Sequence, residues 1–307
     1  MQIAVLIPCH NEEAAIGQVV RDFAAALPGA TIYVYDNNST DRTREVAAAA
    51  RAIVRSETSQ GKGNVVCRMF ADINADIYVL VDGDDTYDAA SAPRMIERLC
   101  SGQLDMVTGV RITESRGAYR PGHVFGNRLL TGLVAELFKS RFKDLLSGYR
   151  VFSRRFVKSF PALISGFEIE TALTVHALEL RMPVAEIETP YKDRPEGSAS
   201  KLRTYRDGFR ILRTILRLVL EVRPLALLGW LAVLFALASV SISIPVFETY
   251  AATGLVPRLP TAVLAASMMV LAFLLMASGI ILDMVTLGRR EAKRLRYLAL
   301  PAPPPQG

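Results

Sequence analysis

The chain has 307 residues, of which 51% are hydrophobic and 21% are charged, and its formal net charge is +6. It is too apolar for an ordinary soluble enzyme and too charged for a protein that lies wholly in lipid, so a soluble part and a membrane part are predicted. The positive charge suits anionic lipid, although it would suit nucleic acid equally. Three widely spaced cysteines indicate neither a disulfide framework nor a zinc ribbon and favour a reducing cytoplasm.

The N-terminal part alternates apolar runs with helical patterns. Four apolar runs are predicted to be strands with polar residues after them: Ile3–Ile7, Thr31–Tyr35, Ala52–Arg55 and Ile77–Val81. Helical patterns lie at Glu12–Leu27, Asp41–Ala50 and Gly63–Ile73. This alternation predicts a doubly wound α/β sheet with a ligand crevice outside the carboxyl ends of its strands. The first strand begins almost at Met1 without a basic segment, so no signal peptide is predicted.

Two segments near the C-terminus lack charge. Leu225–Ile244 has about twenty residues and Thr261–Leu282 about twenty-two, enough to cross a hydrocarbon core of roughly 30 Å. We therefore predict transmembrane helices at 225–247 and 261–283 within a membrane part at 224–288, followed by a basic tail at 289–307. Two buried core helices are the less favoured alternative. Basic residues crowd both outer flanks, so the positive-inside rule places the catalytic domain and both termini in the cytoplasm.

Two further stretches are amphipathic. Residues 203–223 combine apolar residues at helical spacing with arginines, which predicts a juxtamembrane helix along the membrane surface. The stretch 126–146 repeats the pattern more weakly, and membrane contact is favoured over a solvated basic face. No nucleic acid is expected as a partner, because the arginines lie beside apolar spans rather than among exposed aromatic residues. No small-xxx-small pattern fixes an interface between spans, so a homo-oligomer is left open.

The clearest chemical signal is an apolar strand that ends in carboxylates at Asp82, Asp84 and Asp85. Asp82 and Asp84 stand one residue apart and would project to the same side, as oxygen ligands of a hard divalent cation that keeps its other positions for diphosphate. The alternative is an acidic turn that caps the next helix. Alone, this motif also fits a phosphatase or a nucleotidyltransferase.

Further motifs at predicted strand ends reduce this ambiguity. Ile7–Glu13, Val34–Thr43, Gly61–Gly63 and Asp82–Asp84 follow one another in an order that resembles the family 2 glycosyltransferases of GT-A fold, a Rossmann-like nucleotide-diphospho-sugar transferase domain, over residues 1–202. Three later blocks resemble the branch that includes dolichyl-phosphate mannose and glucose synthases: Asp144–Phe152, Gly166–Glu170 and Arg194–Lys201. Cys9 stands where the family usually has an aromatic residue, and Asn37 where a second aspartate is common.

The resemblance implies an inverting, metal-dependent hexosyltransferase (EC 2.4.1-type) of the cytoplasmic (inner) membrane. The donor would be a nucleotide-sugar, with UDP-glucose favoured, the acceptor a polyisoprenyl phosphate such as undecaprenyl or decaprenyl phosphate, and the cofactor Mg²⁺ or Mn²⁺. The rivals are a glycosyltransferase with another lipid or a polysaccharide as acceptor, and a catalytically inactive, membrane-anchored GT-A binding protein.

The resemblance also implies residue roles. The residues expected to bind the nucleotide are Pro8, Asn11, Glu12, Asp36, Lys62, Asp82 and Gly83. The residues expected to bind the metal ion are Asp82 and Asp84. The catalytic set is Asp84, Asp144, Arg194 and Lys201. The acceptor phosphate is largely a dianion at neutral pH and needs positioning by cations more than a strong general base; the candidates are Arg116, Arg120 and Arg128.

Most of these roles have a structural alternative. Pro8 could end a strand, and Asn11 could cap a helix, as is favoured for Asp41. Lys62 between two glycines could lie in an exposed loop, and Asp144 could be a surface charge. Arg194 and Lys201 could belong to a basic linker.

Overall fold

The computed structural model describes residues 1–112, 132, 142–161, 169–192, 219–220 and 222–303. The predictions for Arg116, Arg120, Arg128, Arg194 and Lys201, and for most of the stretches 126–146 and 203–223, lie outside the described residues. The chain divides into two compact units. The first comprises residues 1–211 together with 292–307, and the second comprises residues 212–291.

The first unit contains a mixed seven-stranded sheet. Its strands are β1 (Ile3–Cys9), β2 (Thr31–Asp36), β3 (Ile53–Ser56), β4 (Ile77–Leu80), β5 (Met106–Ile112), β6 (Arg150–Ser153) and β7 (Val184–Pro190). Their order across the sheet is β3-β2-β1-β4-β6-β5-β7. The four neighbouring strands β3, β2, β1 and β4 are parallel to one another. Strand β6 is antiparallel to both β4 and β5, and β7 is parallel to β5. The predicted α/β fold is thus confirmed, with an antiparallel strand added.

Six helices are described in this unit beside the sheet: α1 (Ile16–Ala26), α2 (Thr43–Ala49), α3 (Lys62–Asp72), α4 (Ala92–Ser101), α5 (Arg154–Ser159) and α6 (Ile169–Glu179). Helix α1 buries Ile16, Val19, Val20 and Phe23, the apolar positions of the predicted pattern. It begins at Ile16 and not at Glu12. The residues before it are tied to the region after β2, because the N–H groups of Asn11, Glu12 and Glu13 donate to the side chains of Ser39, Thr43 and Asp41, respectively.

The end of the predicted interfacial stretch 126–146 packs inward. Phe142–Leu146 form no helix, and both Phe142 and Leu145 are buried. The helical prediction is therefore wrong for these five residues. Apolar periodicity predicts that one face of a segment is buried, but it does not distinguish burial in a lipid surface from burial in a protein core.

The second unit contains two long apolar helices, α7 (Pro224–Thr253) and α8 (Leu259–Leu298), of which α8 ends in the first unit. Their most apolar windows have mean hydropathies of 2.4 and 2.3, and only 11% and 17% of those windows is buried. A core helix of a soluble protein would be mostly buried, so this exposure favours the membrane-spanning interpretation. Leu, Val, Ile and Phe side chains are exposed along both helices.

Small residues line the contact between α7 and α8. Ala232 and Ser239 are buried in α7, and Ala265, Ala272 and Gly279 are buried in α8, at intervals of seven residues. The Ser239 hydroxyl donates to the carbonyl oxygen of Ala265 at 2.7 Å. A seven-residue period places one face of each helix along its partner, and small side chains let the backbones approach. These small residues recur every seven residues and not every four, so the small-xxx-small spacing does not describe this contact.

The C-terminal end of α8 belongs to the sheet-containing unit. The Tyr297 hydroxyl donates to Asp105 Oδ2 at 2.8 Å, and the Arg155 guanidinium lies 4.8 Å from the centre of the Tyr297 ring. Arg155 also forms a bidentate pair with Asp105, which is completely buried. Lys293 is 2.7 Å from Glu179 at the end of α6. The last turns of α8 are therefore fixed to the first unit by two charged clusters.

Candidate active site

The predicted nucleotide residues lie at the carboxyl ends of three adjacent parallel strands. Cys9 ends β1 and is paired with Asp36 at the end of β2. On the other side of β1, Val81 follows β4 and donates its N–H to the carbonyl of Leu6 at 3.1 Å. The acidic turn Asp82–Asp85 comes directly after it. Parallel strands bring their carboxyl ends to one edge of the sheet, which explains how positions far apart in sequence share one crevice.

Asp36 has one carboxylate oxygen available to a ligand. Its Oδ2 accepts a hydrogen bond from the Ser39 N–H at 3.2 Å, while its Oδ1 is buried and has no partner. Buried carboxylate oxygens nearly always accept hydrogen bonds, because leaving one unpaired is costly. Asp36 Oδ1 is thus suited to accept an N–H or O–H of a bound nucleoside.

Pro8 and Asn11 shape the same edge. Pro8 lies within β1, paired with Tyr35, so it does not end the strand. Asn11 adopts a left-handed backbone conformation with φ of 53°, and its Oδ1 accepts the Thr40 N–H at 2.8 Å. It therefore joins the loops after β1 and β2 and does not cap α1. The Glu12 side chain is half-buried beside this junction.

Asp41 also acts within this junction. Its carboxylate accepts from the N–H groups of Thr43 and Glu13, at 3.0 and 3.2 Å. Burial would raise the pKa of Asp41, but the hydrogen bonds from Thr43 and Glu13 lower it overall. Thr43 is the first residue of α2, so Asp41 stabilises that helix start.

Asn37 is a structural residue that the sequence interpretation did not assign. Its amide nitrogen donates to the carbonyls of Glu57 and Ser59 at 2.8 and 2.9 Å, and its Oδ1 accepts the Gly61 N–H at 2.7 Å. An aspartate has no N–H donors and could not hold both carbonyls. The substitution noted from the family pattern therefore fixes the loop that leads into α3 and Lys62.

Lys62 is not an exposed loop residue. It opens α3, only 14% of its side chain is exposed, and its ammonium nitrogen lies 2.5 Å from both Asp82 Oδ1 and Glu170 Oε1. Burial alone would lower the pKa of Lys62, but the carboxylates of Asp82 and Glu170 raise it well above its usual value. The ammonium ion is therefore held charged at the acidic turn.

Two glycines permit close packing at the acidic turn: Gly148 lies against Asp82, and Gly83 lies against Cys9. A Cβ atom at Gly148 would overlap the Asp82 carboxylate, and one at Gly83 would lie 2.5 Å from Cys9 Sγ. Burial raises the pKa of the Cys9 thiol well above its usual value, and the charges of Glu12, Asp36, Asp82 and Asp84 raise it further. The thiol stays neutral, and these four carboxylates give the crevice a negative potential that suits a cation.

Asp84 is buried, and its Oδ1 accepts the Thr86 hydroxyl at 2.7 Å. It does not cap a helix, because the next helical elements, a 3₁₀ turn at Ala89–Ser91 and then α4, begin further along the chain. Among the described residues, no group of three or more His, Cys, Asp or Glu side chains could hold a metal ion alone. The two hard carboxylate ligands Asp82 and Asp84 nevertheless fit Mg²⁺ or Mn²⁺ if a diphosphate supplies further oxygens.

Asp144 is not a surface charge. It is buried and forms a bidentate pair with Arg111, at 2.7 Å to Nε and 2.9 Å to Nη2. The Arg111 guanidinium also lies 5.5 Å from the centre of the Tyr191 ring. Arg111 belongs to β5, which ends just before the segment with Arg116, Arg120 and Arg128. The sequence interpretation missed Arg111, because no strand was predicted over β5; the apolar residues at the start of β5 were the only available signal.

The loop that carries Asp144 is held by a completely buried arginine. Arg150 donates from Nε to the carbonyl of Ser147 at 2.9 Å and from Nη2 to that of Leu145 at 2.7 Å. Its Nη1 donates to the Thr174 hydroxyl of α6 at 2.8 Å. Burial lowers the pKa of Arg150 to about 10, so it remains charged at neutral pH. Arg150 therefore links the Asp144 loop to the helix that carries Glu170.

The fold and the acidic crevice define a glycosyltransferase that uses a nucleotide-sugar donor and has the GT-A fold. The model of glycosyl transferase family 2 matches residues 4–160. The chain belongs to this family.

Three relatives place the chain further. It is 31% identical to the glycosyltransferase AglJ of Haloferax volcanii, over 96% of this chain and 98% of AglJ. It is 27% identical to the dolichyl-phosphate hexose transferase of the same organism, over 72% of this chain and 95% of that protein. The crystal structure of glucosyl-3-phosphoglycerate synthase from Mycobacterium tuberculosis with Mn²⁺, UDP-glucose and phosphoglyceric acid is similar with a TM-score of 0.58 and 25% identity. The structural match covers 71% of this chain and 78% of the synthase chain. The similarities to the two Haloferax proteins are consistent with the polyisoprenyl-phosphate branch.

Proposed function

We propose that this enzyme transfers a hexose from a nucleotide-sugar, with UDP-glucose favoured, to a polyisoprenyl phosphate with inversion. The observation that carries the proposal is the combination, in one chain, of a family 2 transferase domain with two apolar helices suited to span a membrane. The similarity to a dolichyl-phosphate hexose transferase supports a lipid phosphate as acceptor. The Mycobacterium neighbour, with UDP-glucose bound, supports the choice of donor.

The donor would bind along the acidic edge of the sheet. Pro8, Asn11 and Glu12 would form the wall beside the nucleoside, and Asp36 would accept one of its hydrogen bonds. Asp82 and Asp84 would hold Mg²⁺ or Mn²⁺, which would supply positive charge to the departing diphosphate, while Gly83 lets the turn pack closely against Cys9. Lys62 would add a further cation, and Arg194 and Lys201 would close over the diphosphate.

The acceptor would bind next to Asp144. Its phosphate is largely dianionic at neutral pH and can act as the nucleophile once positively charged groups position it. Arg116, Arg120 and Arg128 would provide this charge, joined by Arg111. Because Arg111 is held by Asp144 through two hydrogen bonds, its remaining N–H donors point in fixed directions. Asp144 would thus orient the acceptor through Arg111.

The location follows from the same proposal. Helices α7 and α8 would span the inner membrane, residues 203–223 would lie along its cytoplasmic surface, and the catalytic domain with both termini would face the cytoplasm. The domain limits proposed for the catalytic part are 1–202, with the lipid phosphate entering beside residues 126–146.

The test is a transfer assay with the full chain in vesicles that contain undecaprenyl phosphate. Each of UDP-glucose, UDP-galactose, UDP-N-acetylglucosamine, UDP-glucuronic acid and GDP-mannose is supplied with Mn²⁺, and the lipid is analysed by mass spectrometry. We expect one donor to add a single sugar to the lipid phosphate, and the Asp84→Asn variant to add none. If none of these donors added a sugar to the lipid phosphate, that result would contradict the proposal.

Phosphoglyceric acid is the appropriate competing acceptor, because the solved neighbour contains it. Sugar transfer to phosphoglyceric acid but not to the lipid would identify a soluble phosphorylated acceptor. Binding of donor without transfer to either acceptor, unaffected by Asp84→Asn, would indicate an inactive binding protein.

A further inference from the structure

We propose that Lys62 is a counter-cation that couples cation binding to diphosphate binding in the donor site, and that Glu170 is the positioning residue that keeps Lys62 there. This inference rests on the proposed function and adds a residue to the same site. Glu170 lies beyond the part of the chain that the family model matches.

Three separate elements meet at the Lys62 ammonium group. Lys62 is the first residue of α3, Asp82 follows β4 and Glu170 lies in the first turn of α6. Both ion pairs measure 2.5 Å, and the exposed fractions of the three side chains are 14%, 28% and 8% respectively. A buried ammonium ion is stable only with anionic partners, so losing both carboxylates at once would be highly unfavourable.

Asp82 cannot serve Lys62 and a divalent cation equally. The oxygen that Lys62 contacts belongs to one of the two carboxylates that fit a metal ion. Two cations close to one carboxylate oxygen in a partly buried site repel each other strongly. Lys62 is therefore expected to release Asp82 when a cation binds there.

Glu170 makes this release feasible. It is the less exposed of the two carboxylates and would keep the Lys62 ammonium paired after Asp82 is lost. Lys62 would then direct its free N–H donors towards the diphosphate, which arrives as the next anion. A bound cation would thus promote diphosphate binding by freeing Lys62, and the two ligands would bind cooperatively.

The test compares Mn²⁺ binding by electron paramagnetic resonance, with and without UDP, in the full chain and in E170Q, K62M and the K62M/E170Q double variant. Glu97→Gln removes a charge from an exposed position of α4 and is the matched control. Circular dichroism and thermal unfolding establish that each variant is folded.

In E170Q, a cation at Asp82 would leave Lys62 without a partner, so we expect about tenfold weaker Mn²⁺ binding, equivalent to about 1.4 kcal/mol. K62M should bind Mn²⁺ alone at least as tightly as the unaltered protein, but bind UDP about tenfold more weakly with Mn²⁺ present. The effect of E170Q should largely disappear in the K62M background, because Glu170 acts through Lys62.

A general loss of negative charge would give a different pattern. E170Q would then weaken Mn²⁺ binding equally with and without Lys62, and that result would overturn the proposal. Unchanged Mn²⁺ binding in E170Q would overturn it as well. If E170Q does not fold, Glu170→Asp keeps the charge but shortens the side chain, and it should also weaken Mn²⁺ binding only when Lys62 is present.

The outcomes separate this inference from the proposed function. Normal Mn²⁺ and UDP binding with the expected variant pattern, but without sugar transfer to lipid, would refute the acceptor and retain the coupling. Transfer to lipid with additive effects of the two substitutions would retain the function and refute the coupling. A protein that binds no Mn²⁺, with or without UDP, would refute both the metal site and the coupling.

Discussion

Gly148 constrains the position of the Asp82 carboxylate. A methyl group there would overlap that carboxylate, and Gly148 does not have the positive φ that would favour glycine. The effect of Gly148→Ala should therefore be steric. The added methyl group would displace the Asp82 carboxylate, and moving it back when the ligands bind would cost about 1–3 kcal/mol, as overpacking typically does. We therefore expect roughly fivefold to hundredfold weaker binding of UDP with Mn²⁺. Isothermal titration calorimetry measures this affinity.

Gly288→Ala is the matched control, because no heavy atom lies within 4 Å of its added methyl group. It should leave the UDP affinity unchanged. Equal UDP affinity of Gly148→Ala and the unaltered protein would show that Asp82 can move without affecting the donor.

Arg111 should matter to the acceptor and not to the donor. Lysine cannot reproduce the two parallel hydrogen bonds to Asp144, because it presents a single point charge. Hydrogen bonds to charged groups contribute about 1.5–3 kcal/mol, so Arg111→Lys should lower kcat/KM for the lipid acceptor by roughly tenfold to hundredfold. The KM for the nucleotide-sugar should not change.

Arg55→Lys provides the comparison, since Arg55 forms a more exposed pair with Asp72. It should retain full activity with both substrates. If Arg111→Lys changed only the KM of the donor, Arg111 would belong to the donor side.

The candidate site residues that the sequence predicts most directly are those that follow predicted strands. Asp36, Asp82 and Asp84 could be predicted because an apolar run followed by carboxylates is a local pattern in the amino-acid sequence. Arg111, Asn37 and Glu170 could not be assigned, because their roles depend on partners far away in sequence. Arg150 is a fully buried charge, and no local pattern predicts that a carbonyl-lined cavity will accept an arginine.

At the level of elements, the pairing of α7 and α8 depends on small residues. Ala272 is buried at the centre of the row formed with Ala265 and Gly279. Ala272→Leu would insert a bulky side chain between the backbones, at a typical cost of about 1–3 kcal/mol. We expect a lower unfolding temperature of the full chain in detergent, measured by differential scanning calorimetry.

Ala277→Leu is the appropriate control, because Ala277 is exposed on the same helix. Leucine there should be tolerated. If Ala277→Leu destabilised the chain as much as Ala272→Leu, the row of small residues would not be the contact surface in the membrane.

Helix α6 carries a histidine that should make stability depend on pH. Burial, and then the charge of Lys293, lowers the pKa of His176 to about 3 in the folded protein, against about 6.5 in an unfolded chain. Between these values only the unfolded state binds the proton, so the free energy of unfolding falls as the pH decreases. From well above pH 6.5 down to pH 5 the loss should be about 2 kcal/mol.

Chemical denaturation at several pH values measures this slope. His176→Gln removes the titrating group and should reduce the slope in the same pH range. An equal slope in His176→Gln would assign the pH dependence to other groups.

The strands with continuous apolar runs were the predictable part of the fold. β1, β2 and β4 were predicted to within a few residues, because buried parallel strands have few polar residues. β5, β6 and β7 were not predicted as strands. β6 is short and begins with the buried Arg150, so it lacks a continuous apolar run. The continuation of α8 to Leu298 was also missed, because the basic residues from Arg289 onward marked only the end of the apolar span.

For the whole molecule, the end of α8 should stabilise the catalytic unit. Tyr297→Ala would remove both the hydrogen bond to the buried Asp105 and the ring beneath Arg155. A lost hydrogen bond to a charged group costs about 1.5–3 kcal/mol, and a cation–π contact adds about 0.5–1 kcal/mol. We expect earlier thermal unfolding, followed by far-ultraviolet circular dichroism.

Leu298→Ala changes the adjacent, exposed residue and should have little effect. Tyr297→Phe should be intermediate, since it keeps the ring and removes only the hydroxyl. Identical unfolding of all three variants and the unaltered protein would mean that the last turns of α8 do not stabilise the sheet-containing unit.

The return of the chain to its own catalytic unit limits how the enzyme can be made water-soluble. A fragment trimmed before Pro224 would retain all seven described strands and the residues of the acidic edge, yet it would lack Tyr297 and Lys293. Asp105 and Glu179 would then face solvent on a surface that normally has a helix over it. Crystallisation or screening with such a fragment would therefore study a protein with an artificial exposed face, and supplying the C-terminal peptide separately should restore its native covering.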